Sequence, residues 1–454
     1  MRKPTVWITG YVESQEDLTT SKHLRVDARR INVNELLSIN FSQNALKPDA
    51  LKISGIETVS YSRKMIPFLK NFLKPIVLDP CFMLLSAKPS DRKQQRDNLV
   101  NLLPFVEIIT LSLTEAEKIL NRPIFSYQDI EEAAYMLLTM GAKSVLLKGN
   151  AIKNLRQNFW TNGHESFWIA NMHHSEINNW EVDGALSAAI TACLALGYSI
   201  KDAIVIATMY FNRGLRKASQ IARFFHDDWP EEQADLPYLS PKPLEELPQS
   251  FKAYQMNLYP VVDSSLWLEK LLPQGVKCIQ LRIKNAGEAI LEKEIKRSIY
   301  LAKQYDAKLF VNDYWDLAIR FGADGVHLGQ EDLQQADINK IRCSGLYLGV
   351  STHCYYEVAR AHALKPSYIA CGPIYSTTSK AMVFQPQGIE QLQRWRRMLQ
   401  YPLVAIGGIN LERLADVLKS GVRGVSLISA ITQANDPLET TRQFLTKINE
   451  ASYE

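Results

Sequence analysis

A chain of 454 residues, 46% hydrophobic and 22% charged, has the composition of a globular protein and the length of two domains. Its formal net charge of +4 and the lack of any basic block argue against a nucleic-acid groove. No run of 18 apolar residues suggests a membrane span, and six scattered cysteines without a C-x-x-C pair suit reduced thiols, so a cytoplasmic protein is expected.

In chain order, apolar strand-like runs at Thr5–Thr9, Ala50–Ile53, Pro75–Leu78, Val106–Thr110 and Ser144–Lys148 alternate with helix-like segments such as Asp129–Met140. That alternation predicts an α/β domain with a largely parallel sheet over residues 1–226. Residues 227–250 hold five prolines and several carboxylates without an apolar period, and are expected to form a linker.

From residue 251 to 454 the alternation is more regular. Strands are predicted at Asn257–Asp263, Lys277–Ile283, Lys308–Asp313, Gly325–Gly329, Tyr347–Ser351, Tyr368–Gly372, Leu403–Gly407 and Gly424–Ser429, with a last helix near Leu438–Asn449. Eight strands and seven crossovers make a (β/α)8 TIM barrel, whose functional side chains belong just after the strands.

The chemistry-bearing residues fall there. Gln280, Arg282 and Lys284 alternate along the second strand and suit a multiply charged phosphate, although a solvated strand edge reads the same way. Asn312 and Asp313 end the third strand, and Asp332 follows the fourth. Two aspartates from neighbouring strand ends can offer hard oxygen ligands to Mg²⁺, while either alone could cap the helix that follows. Ser351, Thr352 and His353 end the fifth strand. The loop Gly372 to Lys380, with Thr377, Ser379 and Lys380, reads as an anion cradle. Gly408, Ile428 and Ser429 close strands seven and eight, where backbone amides can hold a second phosphate.

The motifs Q-L-R-x-K, N-D-x-x-x-L-A with G-A-D-G-V-H-L-G-Q-E-D, L-G-V-S-T-H, G-P-I-x-x-T-x-x-K and A-I-G-G-I stand here in the order of the thiamine phosphate synthase family, which the C-terminal half resembles. The resemblance implies coupling of hydroxymethylpyrimidine diphosphate to hydroxyethylthiazole phosphate, with release of diphosphate by a Mg²⁺-assisted dissociative substitution. It places Gln280, Arg282, Lys284 and Asn312 at the pyrimidine diphosphate, Asp313 and Asp332 on Mg²⁺, and Ser351 near the pyrimidine. Thr377, Ser379 and Lys380 would line the phosphate loop, and Gly408, Ile428 and Ser429 would receive the thiazole phosphate. Lys284, Ser351 and Lys380 are the residues it implies in catalysis. Ser379 stands where many members have threonine, which keeps the hydroxyl.

The N-terminal half resembles hydroxymethylpyrimidine phosphate kinase, a ribokinase-like fold, through Val77-Leu78-Asp79-Pro80, Leu113 to Glu117, Gly141 to Gly149 and Leu186 to Ile190. It departs from that family where phosphate is handled. Glu181-Val182-Asp183-Gly184 replaces G-T-G-C, Gly10 to Gln15 replaces a glycine-rich loop, and Thr110-Leu111-Ser112 replaces T-P-N. Acidic side chains at a helix N-terminus oppose phosphoryl binding, so a degenerate kinase is expected, with Lys148 and Asp79 supporting the fold and Asp183 still open as a base. An active kinase feeding the synthase and a non-catalytic regulatory protein are the rival readings. The expected partners are the two small-molecule substrates, with homo-oligomerisation left open.

Overall fold

The computed structural model describes residues 2–10, 15–38, 47–55, 59–80, 96–152, 154–172, 180–218, 224–377 and 384–451, with backbone alone at 59–63 and 180–183. The chain divides into two compact units, Met1–Pro230 with Ala234–Leu247, and Glu231–Gln233 with Pro248–Glu454.

The first unit is built on strands β1 (Thr5–Gly10), β2 (Asp27–Arg30), β3 (Ala50–Ser54), β4 (Ile76–Asp79), β5 (Ile108–Ser112), β6 (Val145–Lys148), β7 (Ala151–Ile152), β8 (Leu155–Thr161), β9 (Ser166–Met172) and β10 (Tyr238–Ser240). Their order is β10-β9-β8-β6-β5-β4-β3-β1-β2, with β7 beside β8. The strands from β2 to β6 pair in parallel, whereas β6, β8, β9 and β10 pair antiparallel. The expectation of a largely parallel sheet therefore holds for the part that the apolar runs marked. The antiparallel extension was hidden because β8 carries Gln157 and Asn158, which are buried yet polar. Gln157 is satisfied by the Tyr127 hydroxyl and by both backbone groups of Leu244.

The segment expected as a linker is corrected in part, since β10 comes from inside it. Leu236 and Leu239 are buried, and the buried Asp235 pairs with Arg216 at 2.9 Å. The prolines suppress any period, but two leucines and a short strand suffice to cover the open edge of β9, which an unpaired sheet edge favours.

The second unit is a closed parallel barrel of β11 (Leu258–Val262), β12 (Cys278–Leu281), β13 (Lys308–Asn312), β14 (Gly325–Leu328), β15 (Tyr347–Thr352), β16 (Tyr368–Cys371), β17 (Leu403–Ile406) and β18 (Gly424–Leu427), with β18 returning to β11. All eight coincide with the predicted strands, and helix Pro437–Glu450 covers the predicted last helix. Met256, Tyr259, Cys278, Phe310, Tyr368 and Val404 fill the barrel interior. A packed interior leaves room for ligands at the rim, not through the centre.

Five cysteines among the described residues are free, of which Cys193, Cys278 and Cys371 are buried and Cys343 is exposed. No described helix is long and apolar enough to cross a membrane.

The barrel carries an acid-sensitive element in helix Tyr355–Leu364. His362 is 4% exposed and its Nδ1 meets the Tyr401 hydroxyl at 2.9 Å. Burial, with a smaller push from Lys365, lowers the imidazole to about 3. An unfolded histidine titrates near ~6.5. Above that pH both states are neutral, whereas below it the unfolded chain takes a proton that the folded chain refuses. Stability should therefore fall as the pH drops from ~6.5 towards ~3, by an amount on the order of a few kcal/mol. Unfolding midpoints measured across that range should show a flatter acid limb in His362→Gln, and an unchanged limb would remove His362 as its origin.

Candidate active site

The strand ends that the motifs marked converge on one cavity of about 430 Å³ at the C-terminal rim of the barrel. Its lining includes Gln280, Arg282, Lys284, Asn312, Asp313, Asp332, Ser351, Thr377, Gly408, Ile428 and Ser429. The other two candidates, Ser379 and Lys380, lie outside the described residues.

Parity along β12 explains the first group. Side chains two residues apart share a face, so Gln280, Arg282 and Lys284 all reach the cavity. Asp313 follows β13 in the left-handed region, with φ of 66°. Aspartate tolerates that conformation better than most side chains, and strain of this kind concentrates at functional sites. The Lys284 ammonium meets the Asp313 carboxylate at 2.8 Å, and the Gly329 amide donates to Asp332 at 3.1 Å. Burial first, then the charge of Asp313 and a side-chain hydrogen bond with it, raise the Asp332 carboxyl above the usual carboxylate range. The charge of Lys284 works against that rise.

Elsewhere on the same rim, Gly408 has φ of 65°, and an added Cβ would lie 2.4 Å from the Ser376 carbonyl oxygen. Glycine is required there for the two loops to touch. Arg413 donates to the Gly408 carbonyl at 2.7 Å and its guanidinium lies over the Tyr375 ring.

At and beneath the cavity, Tyr259 and Tyr368 carry no motif signal, whereas His327 and His353 stand inside the motifs G-A-D-G-V-H-L-G-Q-E-D and L-G-V-S-T-H. Beneath Gln280 and Ser351, a chain of hydrogen bonds runs through Tyr259, Tyr368 and His327. Inward parity on the strands could have pointed to these three, but their pairing needs the closed barrel. His353 bonds Glu357 at 2.6 Å and stacks on Phe384. Thr352, next in sequence to Ser351, turns away and donates to the Ala370 carbonyl.

The matches to known proteins divide as the fold does. Residues 258–431 match the family model described as thiamine monophosphate synthase, and residues 12–227 that of phosphomethylpyrimidine kinase. A thiamine-phosphate synthase of Photorhabdus laumondii is 55% identical over 193 residues, which cover 42% of this chain and 89% of that protein. The chain belongs to the thiamine-phosphate synthase family. A solved thiamine phosphate pyrophosphorylase of Pyrococcus furiosus is 31% identical, over 43% of this chain and 96% of its own, with a TM-score of 0.40. A solved phosphomethylpyrimidine kinase of Clostridium difficile is 22% identical, over 47% of this chain and 99% of its own, with a TM-score of 0.39.

The kinase-like N-terminal unit of this chain has its own buried polar cluster. The Lys52 ammonium bonds Asp17 at 2.6 Å and the Gly184 carbonyl at 3.0 Å, and Ser187 donates to Asp79. Burial pushes the carboxyls of Asp17 and Glu115 up. Asp79 thus has a buried side-chain partner in Ser187. The side chains of Glu181, Val182 and Asp183, and loop residues 11–14, lie outside the described residues.

Proposed function

We propose that the barrel joins hydroxymethylpyrimidine diphosphate to hydroxyethylthiazole phosphate at this cavity, with Mg²⁺ as its metal and without a kinase reaction in the N-terminal half. The observation that carries the reading is the convergence of amide, guanidinium, ammonium and paired carboxylates from β12, β13 and β14 on one rim.

The residues fit the metal. Asp313 and Asp332 supply two hard oxygen donors whose mutual repulsion a cation relieves. Among the described residues no three His, Cys, Asp or Glu cluster as a metal site. Two protein ligands leave the remaining positions to water and phosphate oxygens, a pattern that Mg²⁺ favours. When bound, Mg²⁺ would supply charge neutralisation for the leaving diphosphate.

The chain's own groups do the rest. Arg282 and Lys284 would offer donors to the phosphates, and Gln280 and Ser351, which line the same cavity, would hold the pyrimidine ring. An amino-pyrimidine spreads positive charge from its exocyclic methylene. The carbon–oxygen bond to diphosphate can therefore break ahead of attack by the thiazole nitrogen, and no enzyme nucleophile is needed. Orientation and preorganised charge are the protein's contribution.

For the N-terminal half, the match to a kinase family model favours a second reading, phosphorylation of the pyrimidine phosphate. The acidic Glu181 to Asp183 segment opposes it, because a helix N-terminus binds phosphoryl groups through its positive end. The test of the whole reading is formation of thiamine phosphate and diphosphate in equal amounts from the two substrates and Mg²⁺. Loss of product on chelation and its return with Mg²⁺ support it, whereas undiminished turnover with chelator removes the metal.

A further inference from the structure

Between the cavity and the packed interior, five side chains from five strands or strand ends form one unbroken line. Gln280 Nε2 donates to the Tyr259 hydroxyl at 2.9 Å, which meets the Tyr368 hydroxyl at 2.9 Å. Tyr368 meets His327 Nδ1 at 2.7 Å, and His327 Nε2 meets Ser351 Oγ at 2.8 Å. Tyr259 and Tyr368 are 1% and 0% exposed. Gln280 and Ser351, at the two ends, both line the cavity.

Each interior member has one proton to give and a lone pair to accept with, so the direction of one bond fixes the next. With the Gln280 amide nitrogen donating, Tyr259 donates in turn to Tyr368, and Tyr368 donates to His327 Nδ1. The imidazole proton then resides on Nε2 and goes to Ser351. Two groups are left for the cavity: the Gln280 amide oxygen as acceptor, and the Ser351 hydroxyl proton as donor. Burial raises both phenols well above their usual range, so both keep the protons this pattern needs.

The place for the central ring is built into the neighbouring strand. Gly349 lies beside Tyr368 in the β15–β16 register, and a Cβ there would fall 2.1 Å from the phenol Cζ.

We propose that this buried chain sets the hydrogen-bond polarity with which the cavity reads the pyrimidine, making Tyr259, Tyr368 and His327 positioning residues for recognition of the amino form. An exocyclic amino group beside a ring nitrogen presents donor then acceptor, the complement of Gln280 and Ser351. The oxo counterpart presents acceptor then ring N–H, the reverse. Admitting it requires the amide to rotate and every proton in the line to reverse together, or leaves buried groups unpaired.

The inference rests on the synthase reading, and the test separates the two. Competitive inhibition constants against the pyrimidine diphosphate are measured for the amino-pyrimidine monophosphate and its oxo counterpart, so that binding is read without the chemical step. The full-length protein should prefer the amino form by about 10²-fold or more. Tyr368→Phe, which keeps the ring and cuts the chain at its middle, should bring that ratio below about tenfold and leave the KM for the thiazole phosphate unchanged. Tyr259→Phe cuts the chain next to Gln280 and should do the same, which keeps the idea testable where one variant folds poorly. A ratio near unity in the unmodified protein, or a ratio that neither substitution moves, overturns the inference while thiamine phosphate is still formed. No thiamine phosphate from the unmodified protein overturns the functional reading itself.

Discussion

Asp313→Asn should lower kcat/KM for thiamine phosphate formation by roughly 10²-fold or more, and Asp313→Ala by at least as much. At ~1.36 kcal/mol per decade this is a loss of about 3 kcal/mol of transition-state stabilisation. The reason is local. Asp313 holds Lys284 at 2.8 Å and lies within hydrogen-bonding reach of Asp332, so one carboxylate would organise both Lys284 and the proposed Mg²⁺ against the departing diphosphate. Asparagine is the sharper probe because it removes the charge and tolerates the left-handed backbone at φ 66°. Alanine adds a backbone cost of about 1 kcal/mol in that region. The concentration of Mg²⁺ giving half-maximal rate should rise in both variants. Turnover near that of the unmodified protein would take Asp313 out of the metal site.

The second large effect concerns stability. Lys52→Met should destabilise the N-terminal domain by about 3–5 kcal/mol, the usual cost of stranding one member of a buried pair. Lys52 and Asp17 are each 1% exposed and sit 2.6 Å apart on β3 and helix Gln15–His23. Burial outweighs the attraction of Lys52 in its effect on Asp17, since the carboxyl is raised in spite of its partner. The pair is therefore a poor net stabiliser that is costly to break, and Lys52→Met combined with Asp17→Leu should recover most of the loss. Urea unfolding of the full chain, followed through a signal from the N-terminal domain, measures this. A loss below about 1 kcal/mol in the single variant would contradict the account. Synthase turnover should not change, because neither residue lies in the barrel.

The barrel was legible because its strands announce themselves in two ways. Short apolar runs such as Leu309–Val311 are buried on both faces, and each ends in polar residues that have a reason to be there. The same rule failed in the first domain, where β2 reads Asp-Ala-Arg-Arg and shows an alternating exposed edge, not an apolar run. It failed again at β10, whose pairing with β9 joins residues about seventy positions apart through a proline-rich segment. Such contacts are decided by tertiary packing and leave little local trace.

The site shows the same division. Gln280, Lys284, Asp313 and Asp332 could be found because parity and strand ends place them on one rim. Tyr259 and Tyr368 could not be linked, since their hydroxyls meet across 109 positions of sequence. In a linear reading each is one more aromatic residue in a strand, and the closed barrel turns them into a connection between Gln280 and Ser351.

As proposed, the synthase barrel draws on pyrimidine diphosphate made by another enzyme. The most direct measurement supplies purified full-length protein with Mg²⁺ and thiazole phosphate, and compares pyrimidine diphosphate with pyrimidine monophosphate plus ATP, following thiamine phosphate and ADP. Thiamine phosphate is expected from the diphosphate alone, with no ADP from the second mixture. Product and ADP from the monophosphate would contradict the silent kinase-like domain, and no product from either mixture would contradict the synthase.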